Sequence, residues 1–273
     1  MTSAARSANA SARQAANSRP LKIAARGGIL AYGITHLIIG GLALQVAFGQ
    51  GGEQADQSGA FQALAQQPFG QVLLWLLTVG FVAAALWRLE QAIWGFSYES
   101  DRTKLIRKKV TSAVKAVIFV VLALLAGRTA SGGGGGGGGQ QQATAGVFGL
   151  PGGQWLVGLA GVVVLVVGVV KVYEGYKKKF LEDMSAPSDH RARRVLERVG
   201  QVGNMAKGVA IGLIGILLAV AAIQRRPDEA TGLDAALKGL AAQPYGPYLL
   251  IAVAIGLVAY GVFCFFDARY HRV

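Results

Sequence analysis

Six long apolar runs decide most of what this chain can fold into. A helix crosses a bilayer with roughly 20 mostly apolar residues. Six segments meet that length closely enough: Ile23–Phe48, Gly70–Phe96, Val110–Gly127, Gln154–Tyr176, Gln201–Ile223 and Tyr245–Phe266. The third is the shortest. In hydrocarbon every backbone N–H and C=O must be satisfied within the segment, and a helix does this unaided. The expected fold class is therefore an all-α integral membrane protein of six transmembrane helices. Composition agrees: 53% of residues are hydrophobic and 15% charged, against about 25% charged in soluble domains.

The net charge of +13 does not read as a nucleic-acid surface, because the basic residues are confined to short segments between the apolar runs. Lys and Arg are retained on the cytoplasmic side of a membrane. They fill the amino-terminal arm (Arg6, Arg13, Arg19, Lys22, Arg26) and the second connection (Arg102, Lys104, Arg107, Lys108, Lys109). They also fill the fourth connection (Lys177, Lys178, Lys179, Arg191, Arg193, Arg194, Arg198) and the tail (Arg269, Arg272). The first connection holds Glu53 and Asp56 with no Lys or Arg, the third only Arg128 at its edge. In the fifth, Arg225, Arg226 and Lys238 are set against Asp228, Glu229 and Asp234. Both termini are expected in the cytoplasm. The expected partners are the bilayer, its anionic headgroups at the cytoplasmic face, and a membrane-protein partner or second copy; nucleic acid is not expected. Residues 1–21 read as a disordered basic arm, and no secretory signal with an A-x-A site precedes a soluble domain.

Internal self-similarity is the most specific signal. Leu64-Ala65-Gln66-Gln67-Pro68-Phe69-Gly70 matches Leu240-Ala241-Ala242-Gln243-Pro244-Tyr245-Gly246, each just before a span. Gly80 and Gly256 follow at equal distance, and Leu150-Pro151-Gly152-Gly153 is a remnant in the middle. Gly33 and Gly40 match Gly208 and Gly215. The chain thus divides into three parallel two-helix repeats, 22–98, 99–183 and 184–273, which could form a pseudo-threefold bundle. Ser58 and Asp234 stand where a helix N-cap is expected, and each precedes a short amphipathic helix at the outer interface. Pro68 and Pro244 should end these helices and occupy the first turn of the next span. In the middle repeat the tract Gly132–Gly139 and Gln140-Gln141-Gln142 replace the short helix with a flexible loop. No Gly-Lys-Ser/Thr follows, so the tract is no phosphate cradle.

This pattern resembles the bacterial membrane protein family called domain of unknown function 1206, over roughly Lys22 to Tyr270. The resemblance implies an inner-membrane protein of six spans. It implies no activity and no catalytic residues.

Ionisable groups inside spans call for an explanation, since burial in lipid costs at least about 2.5–3.5 kcal/mol. His36 is the deepest, ten residues and about 15 Å of helix beyond Arg26. It shares a face with Gly33 and Gly40, which directs it into the bundle. There it serves either as a neutral hydrogen-bonding residue or in a proton or ligand path. Arg88, Lys171 and Cys264 hold corresponding positions in the three return helices, and Gln91, Glu174 and Asp267 follow three residues later. They read as snorkelling, locally paired side chains or as a polar vestibule at the inner mouth. Tyr32, Lys115 and Lys207 also correspond, and the two lysines enlarge a basic inner ring. Trp75, Trp87, Trp94 and Trp155 read as interface anchors or lipid-facing bulk.

Cys264 is the single cysteine, so an intrachain disulfide is excluded and a buried, inert thiol is expected. No carboxylate pair stands deep in a span, and no His-x-x-x-His or Glu-x-x-His occurs. No metal or cofactor is expected, and no enzymatic activity. Two classes of function remain: a structural or interaction component of the envelope, and a transporter or channel-like protein for a small solute or lipid.

Overall fold

The computed structural model describes residues 19–50, 53–95, 101–133, 152–185, 189–224 and 232–270. Eight α-helices are found among them: α1 (Arg19–Ala47), α2 (Gln57–Ala65), α3 (Gly70–Trp94), α4 (Arg102–Ala130), α5 (Gly153–Tyr176), α6 (His190–Gln224), α7 (Gly232–Ala241) and α8 (Gly246–Tyr270). A 3-10 turn, Lys179–Asp183, follows α5. Six of the helices are long and apolar enough to cross a membrane. The fourth and fifth of these, by chain order α5 and α6, differ from each other in reach: α6 extends eleven residues before the expected start at Gln201. α4 likewise begins at Arg102, well before Val110. Helices need not stop where the lipid does, and the Lys, Arg and Glu of these flanks are good helix formers. The expected arm 1–21 lies outside the described residues up to 18, and α1 already begins at Arg19. Most of the glycine tract, the triple Gln and Pro151 lie outside them too, as do Arg225, Arg226, Asp228 and Glu229.

The helices form a chain of neighbours, α4–α3–α1–α8–α6–α5. The closest interfaces run between units: α3 with α4, α5 with α6, and α8 with α1. Small residues make this approach possible, because dispersion and close backbone contact replace the hydrophobic effect in lipid. A Cβ built on Gly168 of α5 would lie 2.6 Å from Gly212 N of α6, and one on Gly208 2.7 Å from Val172 N. A Cβ on Gly33 of α1 would lie 2.9 Å from the Gly261 carbonyl of α8. In the α3–α4 interface Ala116 and Ala123 stand at the positions of Gly33 and Gly40, and both are buried.

Within units the outcome is unequal. α1 packs on α3 and α6 on α8. Among the described residues, α4 and α5 do not pack along their length. The sequence explains why. Gly28 meets Gly80 in the first unit, where a Cβ on Gly80 would lie 3.3 Å from Gly28 Cα. Gly203 meets Tyr260 in the third, 2.5 Å from its Cα by the same measure. The middle unit has Thr111 and Val163 where the first has Gly28 and Gly80, and Val167 where it has Ala84. Val163 and Val167 are 54% and 45% exposed. Branched side chains at these positions hold the two helices apart, leaving a seam. Its inner end is bridged by the Arg107–Glu174 ion pair at 2.8 Å.

The two short helices close the opposite end of the bundle. Instead of lying on the lipid surface, α2 packs on α1, α3 and α4, and α7 on α1, α6 and α8. Phe61 and Leu237 are fully buried, each within a core formed by the spans. The N-cap of α2 is Asp56, not Ser58: Asp56 Oδ1 accepts from Gly59 N at 2.9 Å. A Cβ on Gly59 would strike the Gln54 backbone, so Gly59 brings its N–H close enough for the earlier residue to cap. Asp234 is not a cap either, because α7 starts at Gly232. It accepts instead from Ala55 N at 2.9 Å and from Lys238 Nζ at 2.8 Å, which ties the third unit's loop to the first.

The repeated Gln-Pro-x-Gly signature is a helix-turn-helix device. Pro68 and Pro244 lie in the turn, two residues before the span instead of inside its first turn. Phe69 and Tyr245 both adopt a left-handed conformation with φ 62°, and Gly152 takes the same place in the middle unit with φ 77°. Gly70 N donates to Gln67 O at 2.9 Å and Gly246 N to Gln243 O at 2.7 Å. A Cβ on Gly70 or Gly246 would collide with the carbonyl of Leu64 or Leu240. Glycine is therefore required to turn the chain this tightly.

Candidate functional site

The repeat places Tyr32, Lys115 and Lys207 at one level on α1, α4 and α6, the first spanning helix of each unit. Lys207 Nζ donates to Tyr32 Oη at 2.8 Å and to Tyr260 Oη at 2.9 Å. The same ammonium stands over both rings, 4.7 Å from the Tyr32 centroid and 4.1 Å from that of Tyr260. Side chains from α1, α6 and α8 thus meet at one point. An aromatic cage of this kind stabilises a cation through the ring quadrupoles.

His36 is 4% exposed. Its Nδ1 is 2.9 Å from the Tyr32 carbonyl of its own helix. The ring contacts Tyr32 edge-on at 4.3 Å and Tyr260 at 4.9 Å between centroids. Tyr32 in turn meets Phe119 of α4 at 5.5 Å, and Phe119 stacks on Phe81 at 6.1 Å. Rings from α1, α3, α4 and α8 therefore fill the layer between the lysine cage and the buried Phe61 and Leu237.

The return helices surround this layer on the side away from α2 and α7. Arg88 is 5% exposed; its Nη1 donates to Gln91 Oε1 at 2.9 Å, and its guanidinium lies 4.4 Å from the Trp87 ring. Trp87 is itself buried, unlike exposed Trp75 and Trp155, so it is neither an interface anchor nor lipid-facing. Lys171 Nζ donates to Glu174 Oε2 at 2.8 Å while Arg107 holds Oε1, so one carboxylate joins α4 to α5. The fields of Lys115 and Asp267 reach the same region: Lys115 acts on Glu174 and Cys264, Asp267 on Lys207. Cys264 is buried beside Tyr260.

Of the positions singled out in the sequence, His36 and the Lys207–Tyr32 pair come together at the centre. Arg88 with Gln91, and Lys171 with Glu174, form separate local pairs. The repeat-motif residues Gln67, Pro68, Gly70, Gln243, Pro244 and Gly246 belong to the turns at the other end and touch none of these. Tyr260 and Arg107 are the residues that reading of the sequence missed. Tyr260 precedes Cys264 by four residues and so shares its helical face, a signal that was available. Arg107 lies in a basic flank where one arginine looks like the next.

Six long apolar helices in three similar pairs, with ionisable groups gathered at the bundle centre, define a multi-pass helical membrane protein built from repeats. The chain belongs to the family described as Domain of Unknown Function (DUF1206), whose model matches three times, at residues 27–95, 110–178 and 202–271. It is similar to an uncharacterized protein of Bacillus subtilis (strain 168), YxxB, with 29% identity over 247 residues covering 90% of each chain. No solved structure matches the chain.

Proposed function

We propose that this is a bacterial plasma-membrane protein with cytoplasmic termini, a structural or interaction component of the envelope that works by engaging an amphiphile of the bilayer and not by catalysis. The observation that carries this is the seam between α4 and α5. The first and third units close on small residues, whereas the middle one carries Val163 and Val167 at the corresponding positions. α4 and α5 both expose apolar side chains, and the Arg107–Glu174 pair joins them at one end, a polarity that suits an amphiphile. Insertion of an acyl chain there would replace helix contacts that the middle unit lacks.

The test is photocrosslinking in nanodiscs with a lipid carrying a diazirine on its acyl chain. Peptides containing Val163 and Val167 of α5 should be labelled well above Val72 and Val79 on the outer face of α3. Equal labelling of all exposed valines would reduce the seam to ordinary lipid contact and end the reading.

A solute transporter is favoured by one observation only, the caged Lys207 on the cytoplasmic side of the ring layer. Against it, stacked rings and the buried Phe61 and Leu237 occupy the axis a solute would follow. Proteoliposome flux of small anions, driven by a gradient, is the measurement that would favour that alternative.

A further inference from the structure

Among the described residues, Phe69, Lys178 and Tyr245 are the non-glycine residues with positive φ. Phe69 and Tyr245 share one place, the residue just before α3 and just before α8, with φ 62° in both. The left-handed region is costly for a bulky side chain and is usually filled by glycine. The middle unit follows that rule, with Gly152 there at φ 77°. Glycine would therefore serve the turn better in the other two units as well. What the rings contribute has to outweigh this strain, and it is not packing: Phe69 is 82% and Tyr245 80% exposed. Strain kept where the fold gains nothing from the side chain points to a contact outside the chain.

Position identifies that contact. On one side of the rings stand Gln66, Gln67 and Gln243, polar and exposed. On the other, the outer surface of the spans begins within a turn: Val72 and Leu73 on α3, and Tyr248 and Leu249 on α8, are large exposed hydrophobics. Phe69 and Tyr245 thus stand on a polar–apolar boundary, the level at which aromatic side chains are enriched in membrane proteins. In the middle unit, where glycine fills the turn, Trp155 is 81% exposed three residues later. Exposed aromatics therefore mark α3, α5 and α8 within a turn of one level. Among the described residues these three helices do not pack along one another's length. The rings are dispersed around the bundle, as a bilayer boundary requires and a single protein epitope does not.

We propose that Phe69 and Tyr245 are membrane-interface anchors, whose rings sit in the headgroup–acyl boundary of the phospholipids at the α2/α7 end and fix the depth of the first and third units. Interfacial aromatics set the depth and tilt of spans together with helix packing. α2 and α7 end just before these turns, so the anchors hold the cap of the bundle at the same boundary. The inference does not depend on the amphiphile reading of the α4–α5 seam.

The full chain is placed in nanodiscs of phosphatidylglycerol and phosphatidylethanolamine with p-benzoylphenylalanine in place of Phe69, Tyr245 or, as a reference on the outer face of α3, Leu76. Irradiation should add a phospholipid at all three positions, with yields within about threefold of one another. No lipid adduct at the two turn positions, with Leu76 labelled, would overturn the inference, and so would preferential cross-linking of those positions to another protein in bacterial membranes. Phe69→Gly with Tyr245→Gly should keep or raise the thermal midpoint in detergent, where the micelle follows the protein, because glycine relieves the turn. In nanodiscs the same pair should speed the reaction of Gln67→Cys with an impermeant maleimide about threefold or more, as the turn drifts into water. Phe69→Asn with Tyr245→Asn, which also suits the left-handed region, should do the same, and Phe69→Trp with Tyr245→Trp should keep the parent rate. A lower midpoint in detergent would make the rings part of the fold, and an unchanged rate in the glycine pair would leave them no anchoring role; either result overturns the inference.

Discussion

Substitution of Gly168 by alanine tests the central packing argument. In α5 the new Cβ would lie 2.6 Å from Gly212 N, 2.7 Å from Gly212 Cα and 2.8 Å from the Gly208 carbonyl. All three are backbone atoms and cannot swing aside, and ordinary contact is 3.4–4 Å. The helices must part by about 1 Å here. That separation weakens every contact near the crossing, so a cost of about 1–3 kcal/mol is expected, in the range of overpacked interiors. The loss falls on a helix with little else to hold it, since among the described residues α5 packs mainly on α6. The assay is thermal unfolding in nanodiscs together with hydrogen exchange along α5. Two controls separate overpacking from loss of glycine itself. At Gly158 a Cβ would meet only Ala222 Cβ at 3.4 Å, and at Gly127 only Thr78, at 3.5 Å or beyond. Both alanines should be tolerated. A Gly168→Ala protein as stable as these controls would refute the close α5–α6 approach.

Three further outcomes are expected. Burial raises the Asp56 carboxyl above its ordinary range, so the folded state favours the protonated form and the associated stability is lost as pH rises through the folded value. Asp56→Asn should keep the cap, match or exceed the parent at pH 7 and flatten the pH dependence of exchange in α2, whereas Asp56→Ala should lose about 1 kcal/mol. His36→Leu should cost less than about 1.5 kcal/mol, because it removes a hydrogen bond within one helix and edge contacts to two rings; a larger loss of thermal stability would mean a partner beyond these. A cysteine at Gln67 should react with an impermeant reagent from outside intact cells and one at Lys104 should not, with little background from buried Cys264; the reverse pattern would invert the orientation.

The spans and the threefold repetition were legible because each rests on local composition: long apolar stretches, and the Gln-Pro-x-Gly turn written twice. Pairing was not. Gly33, Gly40, Gly208 and Gly215 announce close approach but not the partner, and the contacts of these four run between units, those of Gly33 and Gly208 to Gly261 and Gly168. Capping failed for a related reason. Asp56 and Ser58 are both good caps two residues apart, and the choice fell to the approach of Gly59 to the Gln54 backbone. The Lys207 cage needs side chains from α1, α6 and α8 at once. Correspondence between repeats brings Tyr32 and Lys207 to one level, yet Tyr260 has Val167 and Ala84 as its counterparts and so carries no repeat signal.

The arrangement also accounts for where the repeats diverge. The first spanning helix of each unit takes its closest partner from another unit: α4 from α3, α6 from α5, and α1 from α8. These three interfaces tie the units together, and all keep glycine or alanine at the crossing. The contact within a unit is then the one that can be relaxed. In the first and third units relaxing it would also disturb α1 against α3 or α6 against α8, which lie inside the chain of neighbours. In the middle unit the two helices are the ends of that chain, so Val163 and Val167 can hold them apart while α4 stays on α3 and α5 on α6. Among the described residues Arg107 and Glu174 join the two ends on the side away from α2 and α7, through a half-exposed ion pair of the kind that contributes about 1 kcal/mol or less. An opening there breaks the weakest link and none of the glycine contacts, which is the physical reason to look for a bilayer ligand at this seam before any other face.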